Sequence, residues 1–438
     1  MAGREIKTDS TPVQIAPATL APGSHIRPLA IVTTLFFMWG FITCLNDILA
    51  PHLKAVFGLS YARVMLIQFA FFSAYFLFSI PWSKILNAIG YQNTMAAGLL
   101  GTAVGAFLFL PAASAASFPL FLGALITLAA GITGVQVAAN PYVVILGKPE
   151  TASSRLDLTQ AFNSLGTAVA PKLGGLLILS TAPLALEESQ ALSPQALDLY
   201  RVQQAASVKM PYLVIGILLV LLAVLIATFK LPALETVAYR TGAKVGDSVW
   251  RYPNLIFGAL GIFAYVGAEV SIGSFLVNYL GQADIAGLSA EAAAGYVSFY
   301  WGGAMVGRFL GAALLRRIST GHLLAVCAVS TAALVTVSML SNGHTAMWSI
   351  LAVGFFNSIM FPSIFSLAVA ELGPLTGSAS GILNMAIVGG AVVPLLQGVI
   401  ADRIGIHHAF FVPVICYLYI LYYALSGSKA NSERYATA

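Results

Sequence analysis

The sequence predicts an all-α membrane protein of twelve transmembrane helices, arranged as two pseudo-symmetric six-helix halves. Three observations lead there. The chain of 438 residues is 59% hydrophobic and 8% charged, against about 25% charged in a soluble domain, and its mean hydropathy is +0.88. Apolar runs long enough to cross a bilayer recur at about 29–51, 61–82, 92–111, 118–146, 156–180, 210–230, 253–280, 293–315, 321–341, 346–371, 377–400 and 408–426. A segment alone in lipid must satisfy its own backbone hydrogen bonds, so each run is read as a helix. Finally, the halves repeat an order of Asn, Pro and Gly. Asn140-Pro141, Asn163 and Pro171-Lys-Leu-Gly-Gly175 in the first half correspond to Phe361-Pro362, Asn384 and Pro394-Leu-Leu-Gln-Gly398 in the second.

Residues 1–28 are polar and enter the first run without a small-residue cleavage site, so a cytoplasmic tail rather than a cleaved signal peptide is expected. The first run carries Trp39 and ends in Asn46-Asp47. A carboxylate inside a span costs about 2.5–3.5 kcal/mol on insertion scales and marks a pathway or a proton relay; the plain alternative puts Asp47 at the water interface. Gln68 lies in the second run, Gln136 and Asn140 lie i, i+4 on the fourth, and Gln160, Asn163 and Thr167 follow on the fifth as one expected stripe. Lys172 follows Pro171 and can snorkel outward. The long connection 181–209 is expected outside. The six spans of 29–230 form one bundle, 231–252 a basic cytoplasmic linker, 253–426 the second bundle and 427–438 a cytoplasmic tail.

In the second bundle Glu269 sits mid-span, and Asn278, Asn357 and Asn384 are further amides within spans. Arg308 falls near the inner end of the eighth run, where gating outranks substrate contact. Most of the 21 Lys and Arg residues fall on the side shared by both termini, which the positive-inside rule makes cytoplasmic. Strings such as Gly98-Leu-Leu-Gly-Thr-Ala-Val-Gly105 read as close helix packing through small faces. Cys44, Cys327 and Cys416 all lie in spans without metal spacing, so neither a disulfide nor a metal site is expected. No zincin, nucleophile-elbow or P-loop motif appears, which argues against an enzyme. No cofactor is implied, and the dispersed basic residues do not suggest nucleic acid.

Proline in paired spans marks a transporter of repeated halves, with its site where the halves meet. Each amide on its own is explained by hydrogen bonding between membrane helices, worth about 0.6–2 kcal/mol. The whole set, Asn46, Gln68, Gln136, Asn140, Gln160, Asn163, Asn278, Asn357 and Asn384, with Trp39 to stack on a pyranose ring, is also what a pocket needs to replace water around sugar hydroxyls.

At these residues the sequence resembles the major facilitator superfamily, and within it the L-fucose/proton symporter family, over about 28–426. The matches are Leu45-Asn-Asp-Ile-Leu49, Leu66-Ile-Gln-Phe-Ala70, Ala138-Ala-Asn-Pro141, Arg155-Leu-Asp-Leu-Thr-Gln-Ala-Phe-Asn-Ser-Leu-Gly166, Tyr265-Val-Gly-Ala268 and Pro362-Ser-Ile-Phe-Ser366. The strings from Phe36 to Asp47 and from Ala409 to Tyr423 are similar to its bacterial glucose/galactose and N-acetylglucosamine permease branch. The resemblance implies that Asp47 stands at the acidic position needed for proton-coupled uptake, and that Gln160 and Asn163 stand at sugar ligands. Gln136 replaces the family's second coupling carboxylate, Phe361 replaces a tyrosine, Thr43 and Cys44 replace asparagines, and Glu269 stands where the fucose symporter has a neutral amide.

The expectation is therefore a monomeric, multi-pass sugar uptake transporter of the bacterial inner (plasma) membrane, with both termini cytoplasmic and the lipid bilayer as its surroundings. Its partners are a small-molecule sugar and a proton, with Asp47 and Glu269 as coupling residues and a hexose of the glucose/galactose type as cargo. Sodium coupling, a facilitator without coupling, an N-acetylglucosamine or fucose permease and, more remotely, a multidrug/proton antiporter are the alternatives.

Overall fold

The structure is a computed structural model that describes residues 26–57, 61–178, 192–232 and 247–429. The side chains of 45–52, 54–55, 61–65, 171–178, 194, 198 and 290–291 lie outside that description.

The elements run α1 (Ile26–Phe57), α2 (Tyr61–Ser114), α3 (Phe118–Ile145), α4 (Ala152–Ile178), α5 (Pro194–Ala206) and α6 (Lys209–Thr228). After the linker come α7 (Pro253–Leu280), α8 (Ala290–Leu314), α9 (Thr320–Leu340), α10 (Gly343–Asn357), α11 (Met360–Val369), α12 (Thr376–Met385), α13 (Gly389–Ile404), α14 (Ile406–Ala409) and α15 (Phe411–Leu425). Among the described residues, nine stretches are long and apolar enough to cross a membrane. Helices α4 and α8, of 27 and 25 residues, fall outside that set. They are the helices that carry Asp157, Gln160, Asn163 and Arg308, so their lower hydropathy belongs to the site itself.

Two expected spans fall within the one continuous element α2, which contains a 49-residue apolar stretch. At 1.5 Å per residue that is more than twice a bilayer, and the backbone breaks at Gly90 (φ 79°, ψ 172°). A Cβ on Gly134 of α3 would touch Trp82 at 2.5 Å, and a Cβ on Gly98 would touch Val135 N at 2.6 Å. Residues 82 and 98 therefore reach the same turn of α3, which a straight helix forbids; the chain folds back at Gly90. Within the connection expected at 181–209, residues 194–206 form α5, capped by Ser193, whose hydroxyl accepts from Ala196 N at 3.3 Å; Pro194 at the first position fits that start.

The repeat is visible in packing. A Cβ on Gly166 of α4 would lie 2.2 Å from Phe37 O of α1, and one on Gly389 of α13 would lie 2.1 Å from Phe263 O of α7. The first and fifth runs thus approach as closely as the seventh and eleventh, through glycine in both halves.

Proline frees backbone carbonyls in two helices of the site. Pro141 leaves the carbonyl of Val137 without its helical donor, and Ser380 Oγ of α12 donates to it at 2.8 Å. Pro362 does the same to Ser358, where the chain breaks between α10 and α11, and Arg308 Nε donates to that carbonyl at 3.3 Å. In each case the freed carbonyl recruits a side chain from elsewhere in the fold.

Hydrogen bonds between residues 26–232 and 247–429 gather toward one end. Asn87 Nδ2 donates to Ser378 Oγ (2.9 Å), Ser153 Oγ lies 2.8 Å from Thr320 Oγ1 and 2.5 Å from Ser366 Oγ, and Ser154 Oγ donates to Ala312 O (2.5 Å). These bonds lie toward the end bounded by the connections near 149–151 and 315–319.

Candidate functional site

Above that seam lies a polar array with Arg308 at its centre. Tyr265, one turn before Glu269 on α7, donates its hydroxyl to Glu269 Oε1 at 2.8 Å. Arg308 Nη2 of α8 lies 4.0 Å from the same oxygen, and the two side chains are only 12% and 13% exposed. Tyr300 Oη donates to the Glu269 carbonyl at 3.4 Å and accepts from Asn357 Nδ2 at 2.9 Å. On its other flank Arg308 reaches into the first half, where Nη1 donates to Gln160 O at 3.4 Å and to Ser164 Oγ. One guanidinium thereby ties Glu269 and the break at Pro362 to α4. Its planar fork suits several acceptors at once, as a lysine would not.

Three helices of the first half converge on a second cluster. Gln136 Nε2 donates to Tyr75 Oη at 2.5 Å, and Trp39 stands within hydrogen-bonding reach of that hydroxyl. Trp39 also packs on Phe36 at 5.8 Å. Asn163 Nδ2 donates to Phe36 O at 3.0 Å and Thr167 Oγ1 to Gly40 O at 3.4 Å, both on α1. Of the stripe expected on the fifth run, Asn163 and Thr167 turn to α1, while the neighbouring Ser164 side chain and the Gln160 main-chain carbonyl meet Arg308. At 3.6 residues per turn, positions 163 and 164 differ by about 100°, enough to meet different neighbours.

Asn140 is fully buried, and neither of its side-chain polar atoms has a hydrogen-bond partner. Asn384 donates to Ser380 O at 2.9 Å and leaves its own Oδ1 unpaired. Gln136 Oε1, Gln160 Nε2 and Asn357 Oδ1 are likewise buried without a partner. Buried amides are nearly always satisfied, so a group of them in one region is hydrogen-bonding capacity left by the fold for water or a solute.

Of the sequence candidates, Trp39, Gln136, Asn140, Gln160, Asn163, Glu269, Asn357 and Asn384 lie in these clusters or beside the seam. Gln68 and Asn278 are exposed. Asn46 and Asp47 are on the helical backbone of α1, but their side chains, like that of Lys172, lie outside the described residues. Sequence reading missed Tyr75, Tyr265, Tyr300 and Ser164, which look like ordinary core positions, and Asp157, hidden in Arg155-Leu-Asp157-Leu. Gln397, fully buried with both amide atoms unpaired, was passed over too. A carboxylate in the first turns of a predicted span was the available signal for Asp157.

A helical bundle with paired prolines that free backbone carbonyls, and a polar array between its halves, defines a multi-pass membrane transporter. A sequence profile of the Major Facilitator Superfamily matches residues 30–392, and the chain belongs to that superfamily. It is 54% identical over 402 residues to a glucose/galactose transporter of Brucella abortus, covering 92% of this chain and 94% of that one. It is 34% identical over 418 residues to the L-fucose-proton symporter of Escherichia coli, covering 94% and 95%. The crystal structure of FucP in the outward conformation superimposes with a TM-score of 0.84 at 34% identity, covering 91% of this chain and 98% of FucP.

Proposed function

We propose that this protein takes up a hexose of the glucose/galactose type together with a proton, by alternating access between two six-helix halves at 29–230 and 253–426. The observation that carries the reading is the set of buried, unpaired amide atoms on Gln136, Asn140, Gln160, Asn357 and Asn384, which are donors and acceptors suited to ring hydroxyls. The similarity to the glucose/galactose transporter of Brucella abortus supports the hexose, and that to the L-fucose-proton symporter of Escherichia coli supports the proton.

In this reading the seam at 153–154, 312, 320 and 366 is the closed gate, so the amides face the opposite, external side. Gln160 and Asn163, with Gln136, Asn140, Asn357 and Asn384, hold the sugar, and Trp39 flanks the ring; Asn46, Gln68 and Asn278 complete the set as the halves move. Asp47, the carboxylate at the end of the first run, carries the coupling proton. Glu269, held by Tyr265 and Arg308, shares that role or grips a hydroxyl. A proton crossing about 100 mV releases about 2.3 kcal/mol, enough to drive sugar uphill. The protein is monomeric and sits in the bacterial inner membrane with both termini cytoplasmic, consistent with its basic connections.

Isothermal titration of the purified protein tests the cargo. Saturable binding of D-glucose or D-galactose is expected, with L-fucose weaker. Binding of L-fucose alone, or of no sugar, overturns the hexose reading.

A further inference from the structure

We propose that Ser380 is a positioning residue through which sugar binding releases the closed seam: its hydroxyl holds the main chain of the opposite half for as long as Asn384 holds that hydroxyl. The sugar-triggered part of the proposal rests on the hexose reading above.

Helix α12 of the second half packs against both α2 and α3 of the first. A Cβ on Gly377 would lie 2.6 Å from Asn87 Oδ1, and one on Gly381 2.5 Å from Ser83 Cβ, so α12 meets α2 through bare backbone. Toward α3, Ser380 Oγ donates to Val137 O at 2.8 Å. Both residues are fully buried.

The helical donor to that carbonyl would be the N–H of position 141, and a proline has none. Ser380 is the donor the fold provides in its place, and it belongs to the other half. The counterpart carbonyl, Ser358 O, takes its donor from Arg308 of its own half and carries no such dependence. The bond from Ser380 exists only while the halves are together. When they part, water replaces Ser380 at Val137 O, and the freed hydroxyl turns to a carbonyl of its own helix, as serine hydroxyls do. The cost of losing Ser380 therefore falls on the closed seam alone.

Asn384 sets the direction of the hydroxyl. One turn along α12, its Nδ2 donates to Ser380 O at 2.9 Å and to Ser380 Oγ at 3.2 Å. A hydroxyl has one hydrogen; with Asn384 at a lone pair, that hydrogen faces Val137. Asn384 Oδ1 is buried without a partner, as are both amide atoms of Asn140, one turn past Val137 on α3. A carboxamide that grips two neighbouring ring hydroxyls accepts one bond at its oxygen and gives one from its nitrogen. Both N–H hydrogens of Asn384 are engaged by Ser380, so gripping a sugar withdraws one of them, and the bond to Oγ is the longer and weaker. The hydroxyl then loses what orients it, and its hold on Val137 slackens.

Hydrogen–deuterium exchange of the full-length protein in lipid vesicles, read on peptides from 80–90 and 374–384, reports opening of this contact. Without sugar, Ser380→Ala should quicken exchange in both segments roughly tenfold, because a buried carbonyl is left unpaired in the closed state alone. Pro141→Ala returns a helical N–H to Val137 O, so Ser380→Ala placed in that background should add no more than about twofold. An undiminished effect there means that Ser380 acts by packing and overturns the proposal, as does wild-type exchange in Ser380→Ala. D-galactose should quicken exchange in wild type and add little to Ser380→Ala. Galactose that binds by calorimetry yet leaves wild-type exchange unchanged removes this inference alone; if neither D-glucose nor D-galactose binds, the hexose reading falls and takes the trigger with it. If Ser380→Ala does not fold, Pro141→Ala alone decides: it should quicken exchange by itself, and wild-type exchange in that variant overturns the proposal.

Discussion

Arg308→Lys keeps the positive charge and removes the fork. Arginine donates to Ser164 Oγ and Gln160 O in the first half and to Ser358 O in its own half. Loss of the Ser358 contact does not by itself favour either state of the seam, because donor and acceptor belong to the same half. The bonds to Ser164 and Gln160 exist only while α4 and α8 are together. A hydrogen bond from a charged donor contributes about 1.5–3 kcal/mol net, and the Gln160 bond, at 3.4 Å, falls at the weak end. Lysine recovers one of these contacts through a single ammonium. The closed seam should therefore lose about 2 kcal/mol, roughly a 30-fold shift toward the open state. Hydrogen–deuterium exchange read by mass spectrometry on peptides from 152–167 and 303–316 measures this directly, since local opening sets the exchange rate. Exchange in both segments should quicken, while a peptide from α9 remains as in wild type. Unchanged exchange in α4 and α8 would refute the assignment of Arg308 as the tie between the halves.

The remaining predictions concern sugar and coupling. Asn163→Ala should weaken sugar binding by about 1–3 kcal/mol, through a lost hydrogen bond and an unpaired partner; calorimetry that returns wild-type affinity for a folded variant takes Asn163 out of the site. Glu269→Gln should separate two roles. Retained equal-pool exchange with lost accumulation makes Glu269 a coupling group, whereas lost binding makes it a sugar ligand. Asp47→Asn copies the neutral carboxyl, so it should bind sugar and exchange it between equal pools while failing to accumulate it against a gradient; full pH-driven accumulation by this variant refutes proton carriage by Asp47.

Much of the fold was legible because lipid imposes a simple demand: each apolar run had to be a helix, and α3, α6, α7 and α9 begin and end close to the expected limits. Pro362 and Asn140-Pro141 were readable as a matched pair. What could not be read was where the freed carbonyls go, since Ser380 and Arg308 lie far along the chain from Val137 and Ser358. The join of two spans within α2 was hidden for a related reason, because Gly90 turns the chain with only a short polar connection. At the site, amides stood out as polar exceptions in apolar runs. Tyrosines did not, because Tyr75, Tyr265 and Tyr300 are apolar in every respect except one hydroxyl. Asp157 was obscured by its place beside Arg155 at the polar start of the fifth run. The structure instead turns Arg155 to the carbonyls of Val143, Val144 and Lys148 and Asp157 into the seam. A helical face is named by its partner, and the partner of this one is a glycine on the other half.

Uptake of labelled D-glucose and D-galactose into proteoliposomes, under an inward proton gradient and separately under an inward sodium gradient, bears most directly on the central claim. The account predicts accumulation above the external concentration with the proton gradient, abolished by a protonophore, and simple equilibration with sodium alone. Accumulation that follows sodium and ignores pH, or no hexose uptake under either gradient, would contradict it.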